Sequence, residues 1–141
     1  MPWRHEGVGA RAMRTSDESA ASLPRRVVHL ELHTRHLRGA NAFYCELLNW
    51  REELIDTPSG RYHALNVGDD CGGGLVECGA RRALWLPYVA VDRIDETTER
   101  ARELGAEVLL APREGPAGWR SVLTTPAGGE IALWQQKEWR L

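Results

Sequence analysis

The chain has 141 residues, 43% of them apolar, and a formal charge of −2. That is enough chain to bury a core without a metal or disulfide to hold it together, and so balanced a charge supplies no field to attract nucleic acid or an acidic membrane. The three cysteines, Cys45, Cys71 and Cys78, form an odd set without metal-type spacing, which suits reduced thiols in a cytoplasm.

Residues 1 to 25 mix Arg, Ser, Glu, Gly and Ala without a period and read as a disordered leader. They lack the apolar core of a signal peptide, and no later apolar run reaches the length of a spanning helix, so the expected location is cytoplasmic. Ordered pattern begins at Val27 with a strand that contains His29-Leu30-Glu31-Leu32-His33. Alternation along a strand puts His29, Glu31 and His33 on one face and Val28, Leu30 and Leu32 on the other. An ionisable face of this kind is either wetted, as antiparallel sheets often are on one side, or turned into a pocket. Ala40 to Leu48 has apolar residues at helical spacing, Ala40, Phe43, Tyr44, Leu47 and Leu48, and Asn49 stands at the expected C-cap. Strands are expected at Trp50–Ile55 and Arg61–Val67, and a short one at Leu75–Cys78 after Gly72-Gly73-Gly74. The triple glycine precedes a strand and not a helix, so it lacks the mechanism of a phosphate loop. It suits a bend, or the close approach of a ligand or a second backbone.

The same order then repeats: strand Leu86–Val91, helix Glu96–Leu104 closed by Gly105, strand Glu107–Ala111, a loop Pro112–Gly118, strand Trp119–Thr124, a turn, and strand Glu130–Gln135. Asn49-Trp50 and Gly105-Ala106 mark equivalent points of a repeat of about 56 residues. The expected architecture is α+β, two βαβββ units at 26–80 and 81–137 forming a curved mixed sheet around a ligand cleft. One helix per unit covers only one face of its sheet. The other face becomes a trough for a small molecule.

On these motifs the chain resembles the vicinal-oxygen-chelate superfamily, which includes glyoxalase I, bleomycin-resistance proteins and extradiol dioxygenases. The match rests on Phe43-Tyr44 and Leu48-Asn49-Trp50 in the first half, and on Pro87 to Asp92, Ala101 to Ala106 and Thr125 to Trp134 in the second. Thr125 stands where the family usually has aspartate. The resemblance implies metal-ligand positions on the first and fourth strands of each half, here His29, Glu77, Leu86 and Ala132. Two of these have no lone pair to give, and a catalytic divalent site normally takes three protein ligands, so no metal cofactor is expected. If one is held, His29 and Glu77 are the residues to hold it. The family's strand parity also implies that His29, Glu31, His33, Leu75, Glu77, Leu86, Tyr88, Ala90, Glu130, Ala132 and Trp134 face the trough.

Three functions follow from such a pocket. A histidine oriented by a carboxylate can act as general acid or base in a lyase, isomerase or cyclase reaction; His29, Glu31 and His33 are the residues for that role. Alternatively Tyr62, Tyr88, Trp119 and Trp134 present flat faces to a planar antibiotic, with Glu77 and Glu130 pairing a cation, as in the drug-sequestering branch. Trp50 and Trp85 are assigned to packing and Trp119 to a mobile rim. The third keeps a metal through His29, His33 and Glu31 with Glu77 or Glu130. The resemblance further implies a homodimer.

Overall fold

The computed structural model describes residues 23–58, 60–79, 83–115 and 117–137. Most of the expected leader, residues 1–22, lies outside them, as do residues 138–141. Of its described end, the Arg25 guanidinium pairs with Asp92 at 2.8 Å and the Arg26 carbonyl accepts from the Ala90 N–H.

The elements are β1 (Val27–Thr34), α1 (Leu37–Leu48), β2 (Arg51–Thr57), β3 (Gly60–Asn66) and β4 (Gly72–Glu77), then β5 (Leu84–Ala90), α2 (Ile94–Glu103), β6 (Glu107–Glu114), β7 (Gly118–Thr124) and β8 (Glu130–Gln136). Each half is strand, helix and three strands. They join edge to edge into one eight-stranded sheet of order β2-β3-β4-β1-β5-β8-β7-β6. The first strand of each half is parallel to that half's fourth, and β1 and β5 meet antiparallel in the centre.

Both helices lie on the same face. Under α1, Leu32, Leu65 and Leu75 are buried with Tyr44, Trp50 and Trp85 packed against them. Under α2, Val91, Ile94, Leu123 and Leu133 form the equivalent layer. Trp50 and Trp85 thus pack, as assigned, and Trp85 Nε1 donates to the Tyr44 hydroxyl at 3.2 Å. Asn49 ends α1 in the left-handed conformation at φ 58°. In α2, Asp95 and Glu96 near the start and Arg100 and Arg102 near the end complement the helix dipole.

The other face carries no helix, yet Leu86, Tyr88 and Ala132 on it are buried. Val28, Leu84, Val122 and Trp134 pack around them. Val28 joins this cluster because the β1–β5 register shifts between Val27 and His29, which takes it out of the Leu30 and Leu32 face where simple alternation put it. Three boundaries also differ from expectation by three residues, the others by two or fewer. α1 starts three residues earlier, β6 runs on through Pro112 as an edge strand where proline is tolerated, and β4 begins at Gly72, so the glycines are strand and not leader.

No helix among the described residues is long and apolar enough to cross a membrane.

Candidate functional site

The helix-free face is centred on one carboxylate. Glu31 is 6% exposed, and four groups from three strands converge on it. Its Oε1 accepts from the Tyr88 hydroxyl at 2.9 Å and from His33 Nε2 at 2.8 Å. Its Oε2 accepts from the Tyr62 hydroxyl at 2.6 Å, with His29 Nε2 at 3.4 Å. His29 Nε2 lies closer to the Tyr62 oxygen, at 2.8 Å.

These contacts fix the protons. An ionised carboxylate only accepts, so Tyr62, Tyr88 and His33 all donate to it. Tyr62 has spent its own proton on Glu31 and accepts from His29. Both imidazoles therefore carry hydrogen on Nε2, and neither Nδ1 has a hydrogen-bond partner among the described residues.

Burial pushes the Glu31 carboxyl upward, but the hydrogen bonds from His29, His33, Tyr62 and Tyr88 outweigh it and hold the group well below the usual carboxylate range. Burial, then the Glu31 charge, drives the Tyr62 hydroxyl far above its ordinary value. The same two causes push Tyr88 up to about 12, with the Arg120 guanidinium opposing them. Glu31 is thus a fixed anion that orients its neighbours, and the two tyrosines stay protonated.

The triple glycine makes this geometry possible. On β4, Gly72 and Gly74 pair with His29 and Glu31 on this face, while Gly73 faces the helices. A Cβ on Gly74 would lie 1.7 Å from the Tyr62 hydroxyl, one on Gly72 would lie 2.6 Å from His29 Nδ1, and one on Gly73 would meet the Leu65 carbonyl at 2.5 Å. What comes close is a tyrosine, a histidine and a second backbone. The bare Gly72 backbone lets the His29 ring pack over it with Nδ1 in the place a side chain would take.

Of the residues singled out in the sequence, His29, Glu31, His33, Tyr62 and Tyr88 come together. Trp134 adjoins them, its ring 6.4 Å from that of Tyr88. It lines a groove of about 880 Å³ together with Val28, Ala90, Trp119 and Lys137. This groove flanks the carboxylate network and does not contain it.

Glu77 is not part of the network. It pairs with Thr34 and shares the helix-side parity of Leu75, so both were assigned to the wrong face. Trp119 lines the groove but is also tied into the core. It packs against the layer under α2, and the Lys137 ammonium lies 5.6 Å from its ring centroid. Glu130 is on the helix-free face, but two residues, about 6.5 Å, beyond Ala132.

The register also tests whether the superfamily's metal fits. Level with His29 stand Gly72 on β4 and Tyr88 on β5, and level with Tyr88 stands Ala132 on β8. Glycine and alanine give no donor. Glu31 already accepts from tyrosine and histidine donors on both oxygens, and Glu77 points the other way. No group of three or more His, Cys, Asp or Glu able to hold a metal ion occurs among the described residues. The residues present do not fit that centre.

Sequence reasoning missed Arg120. It is the cross-strand partner of Trp134, and its Nη1 donates to the Tyr88 hydroxyl at 3.1 Å. A signal was present, because the turn at 125–129 sets Thr124 against Glu130 and thereby Arg120 against Trp134.

A family model described as a glyoxalase-like domain matches residues 28–134, about three quarters of the chain. The chain belongs to the glyoxalase-like domain family. It is 26% identical over 114 residues to CFP32 of Mycobacterium bovis, whose name assigns it provisionally to the glyoxylases; the match covers 75% of this chain and 44% of that protein. It is also 26% identical over 115 residues to the anthracycline biosynthesis protein DnrV of Streptomyces peucetius, covering 67% and 41%. The glyoxalase-like chain therefore spans less than half the length of either relative. Among solved structures, a hypothetical protein of Bacillus halodurans C-125 superposes with a TM-score of 0.64 at 17% identity, covering 84% of this chain and 99% of that one. Methylmalonyl-CoA epimerase of Mycobacterium tuberculosis does so with 0.57 at 19%, covering 79% and 88%. At such identities the likeness shows the fold, that of the vicinal-oxygen-chelate superfamily.

Proposed function

We propose that the helix-free face binds a small organic molecule and moves a proton on it without a metal, His29 serving as the base, in a reaction of the lyase, isomerase or cyclase type. The observation that supports this is the fixed tautomer: Nε2–H is held by Tyr62 and Glu31, and Nδ1 has no partner among the described residues, none of whose buried side-chain nitrogens is left unpaired. A neutral imidazole so oriented takes a proton at Nδ1 and becomes imidazolium, stabilised by the Glu31 charge 3.4 Å away. It then returns the proton to another atom of the same molecule or to a leaving group. His29 is nearer the groove, through Tyr88 and Trp134, and is favoured over His33 for this role.

Solvent-exchange NMR on a ligand found by thermal-shift screening tests the reading. An acidic C–H of the bound ligand should exchange with D₂O in the presence of the protein, and His29→Ala should slow that exchange by about 10²–10⁴-fold. Binding without exchange, unchanged in His29→Ala, would leave the sequestration reading, which the indole faces of Trp119 and Trp134 in the groove favour.

The homodimer belongs to the same proposal. No residue of α1 is buried, Phe43 and Leu47 are 57% and 63% exposed, and the neighbouring strand β2, at the edge of the described sheet, exposes Leu54 and Ile55. Light scattering should give twice the chain mass, and a Phe43→Glu, Leu47→Glu double variant should run as monomer. A monomeric wild type sinks the dimer.

A further inference from the structure

We infer that Arg120 is the seat of an anionic group on the ligand, so that the molecule taken up by this face carries a carboxylate. The inference rests on the proposed binding role of the face and names the chemical class it would accept. Among the described residues every other arginine is exposed, whereas Arg120 is half-buried. Six basic side chains, from Arg25 to Lys137, have a carboxylate within 3.4 Å. Arg120 has none. Its one hydrogen bond goes from Nη1 to the Tyr88 hydroxyl. A guanidinium offers five N–H donors, and the other four have no partner among the described residues.

The charge is not sealed from water, because no buried side-chain nitrogen or oxygen among the described residues lacks a hydrogen-bond partner; its free donors are open to a ligand that brings a counter-charge. Glu31 does not answer the Arg120 charge directly, because the Tyr88 hydroxyl stands between them, accepting from Arg120 and donating to Glu31. Both Glu31 oxygens are already in use. An incoming carboxylate would take two parallel N–H bonds from the guanidinium. The site around it is shaped for more than an ion. The Trp134 indole is the cross-strand neighbour of Arg120, and it overlies Gly118, where a Cβ would come within 2.8 Å of the ring. A planar ligand body thus has an aromatic wall beside the anion seat. Tyr88, which touches Arg120, stands edge-on to His29 with ring centroids 5.2 Å apart. A short acid anchored at Arg120 would extend along Tyr88 toward the His29 ring.

The test compares matched probes by ligand-observed NMR titration: phenylpyruvate, 4-hydroxybenzoate and the amide of each, against wild type, Arg120→Gln, Arg120→Lys and His29→Ala. In wild type each acid should bind about tenfold to a hundredfold more tightly than its amide, the worth of a charge-assisted pair. That ratio should fall below about twofold in Arg120→Gln, persist in part in Arg120→Lys, and survive in His29→Ala. Equal affinity for acid and amide in wild type overturns the inference, and needs no variant to fold. So does a ratio that persists in a folded Arg120→Gln. If Arg120 serves only to balance Glu31, its loss lowers thermal stability and leaves the wild-type ratio near one, which also overturns it. Failure of the proton-transfer reading shows separately, as no ligand C–H exchange with the acid preference intact.

Discussion

Gly74→Ala is expected to destabilise the protein by about 3 kcal/mol, from overpacking and the loss of a buried hydrogen bond together. The added methyl would occupy the place of the Tyr62 hydroxyl, 1.7 Å from it, and β4 is held between β1 and β3, so neither strand can step aside. Tyr62 must then leave Glu31, and with it goes the group that holds His29. The variant should therefore lose ligand exchange as well as stability. Gly39→Ala is the control: nothing lies within 4 Å of its Cβ and it sits in the first turns of α1, where alanine should be neutral or stabilise by up to about 1 kcal/mol. Urea denaturation of the two variants checks the pair. A Gly74→Ala loss below about 0.5 kcal/mol, within the range of an ordinary surface change, would mean that Tyr62 is not held where it is drawn.

The second large effect is a dependence on pH that runs through Glu31. The folded carboxyl sits well below its ordinary value of 4.5, whereas in the unfolded chain it regains that value. Below pH 4.5 the unfolded state takes up a proton at this position that the folded state refuses, so acid pulls the equilibrium toward unfolding. Stability contributed by Glu31 is full above that pH and drains steadily as the pH falls. Glu31→Gln should flatten the acid limb of a stability-against-pH curve. It should also cost about 2 kcal/mol at neutral pH, because an amide nitrogen cannot accept from the donors that one carboxylate oxygen received. The tyrosines give an opposite limb. Their folded values are raised above the ordinary 10.0, Tyr88 to about 12, so above pH 10 the unfolded phenols ionise first and stability falls again. Tyr88→Phe should shallow that alkaline loss. An acid limb unchanged in Glu31→Gln would show that the network does not hold this carboxylate ionised.

Much of the fold could be read from the sequence because both halves carry complete local signals: alternating strands, an amphipathic helix in each, and Asn49 and Gly105 at matching ends. The ionisable face of β1 could be read for the same reason, since His29, Glu31 and His33 alternate with leucines. The fourth strand could not. Alternation is voted by side chains, and Gly72, Gly73 and Gly74 cast no vote, so the parity of β4 rested on the family's ligand position carried over onto Glu77, and it came out inverted. Trp119 was half legible: an indole after a Gly-Pro loop suggested a groove edge, which it lines, while its packing shows in the parity it shares with the buried Ser121 and Leu123. The convergence of Tyr62 and Tyr88 on one carboxylate depends on strand neighbours that are 31 and 57 residues away, which no local pattern encodes.

β1 and β5, the first strands of the two halves, lie side by side at the middle of the sheet, and the site straddles their seam. The halves have divided the labour. His29, Glu31, His33 and Tyr62 come from the first, and Tyr88, Arg120 and Trp134 from the second. On the proposed reading, protons are handled on one side of the seam and the ligand is gripped on the other. A duplicated unit arranged in this way lets specificity drift in one copy while the acid–base apparatus stays fixed in its twin. Chimaeras that exchange only the second half among glyoxalase-like relatives should therefore change what is bound and leave the chemistry in place.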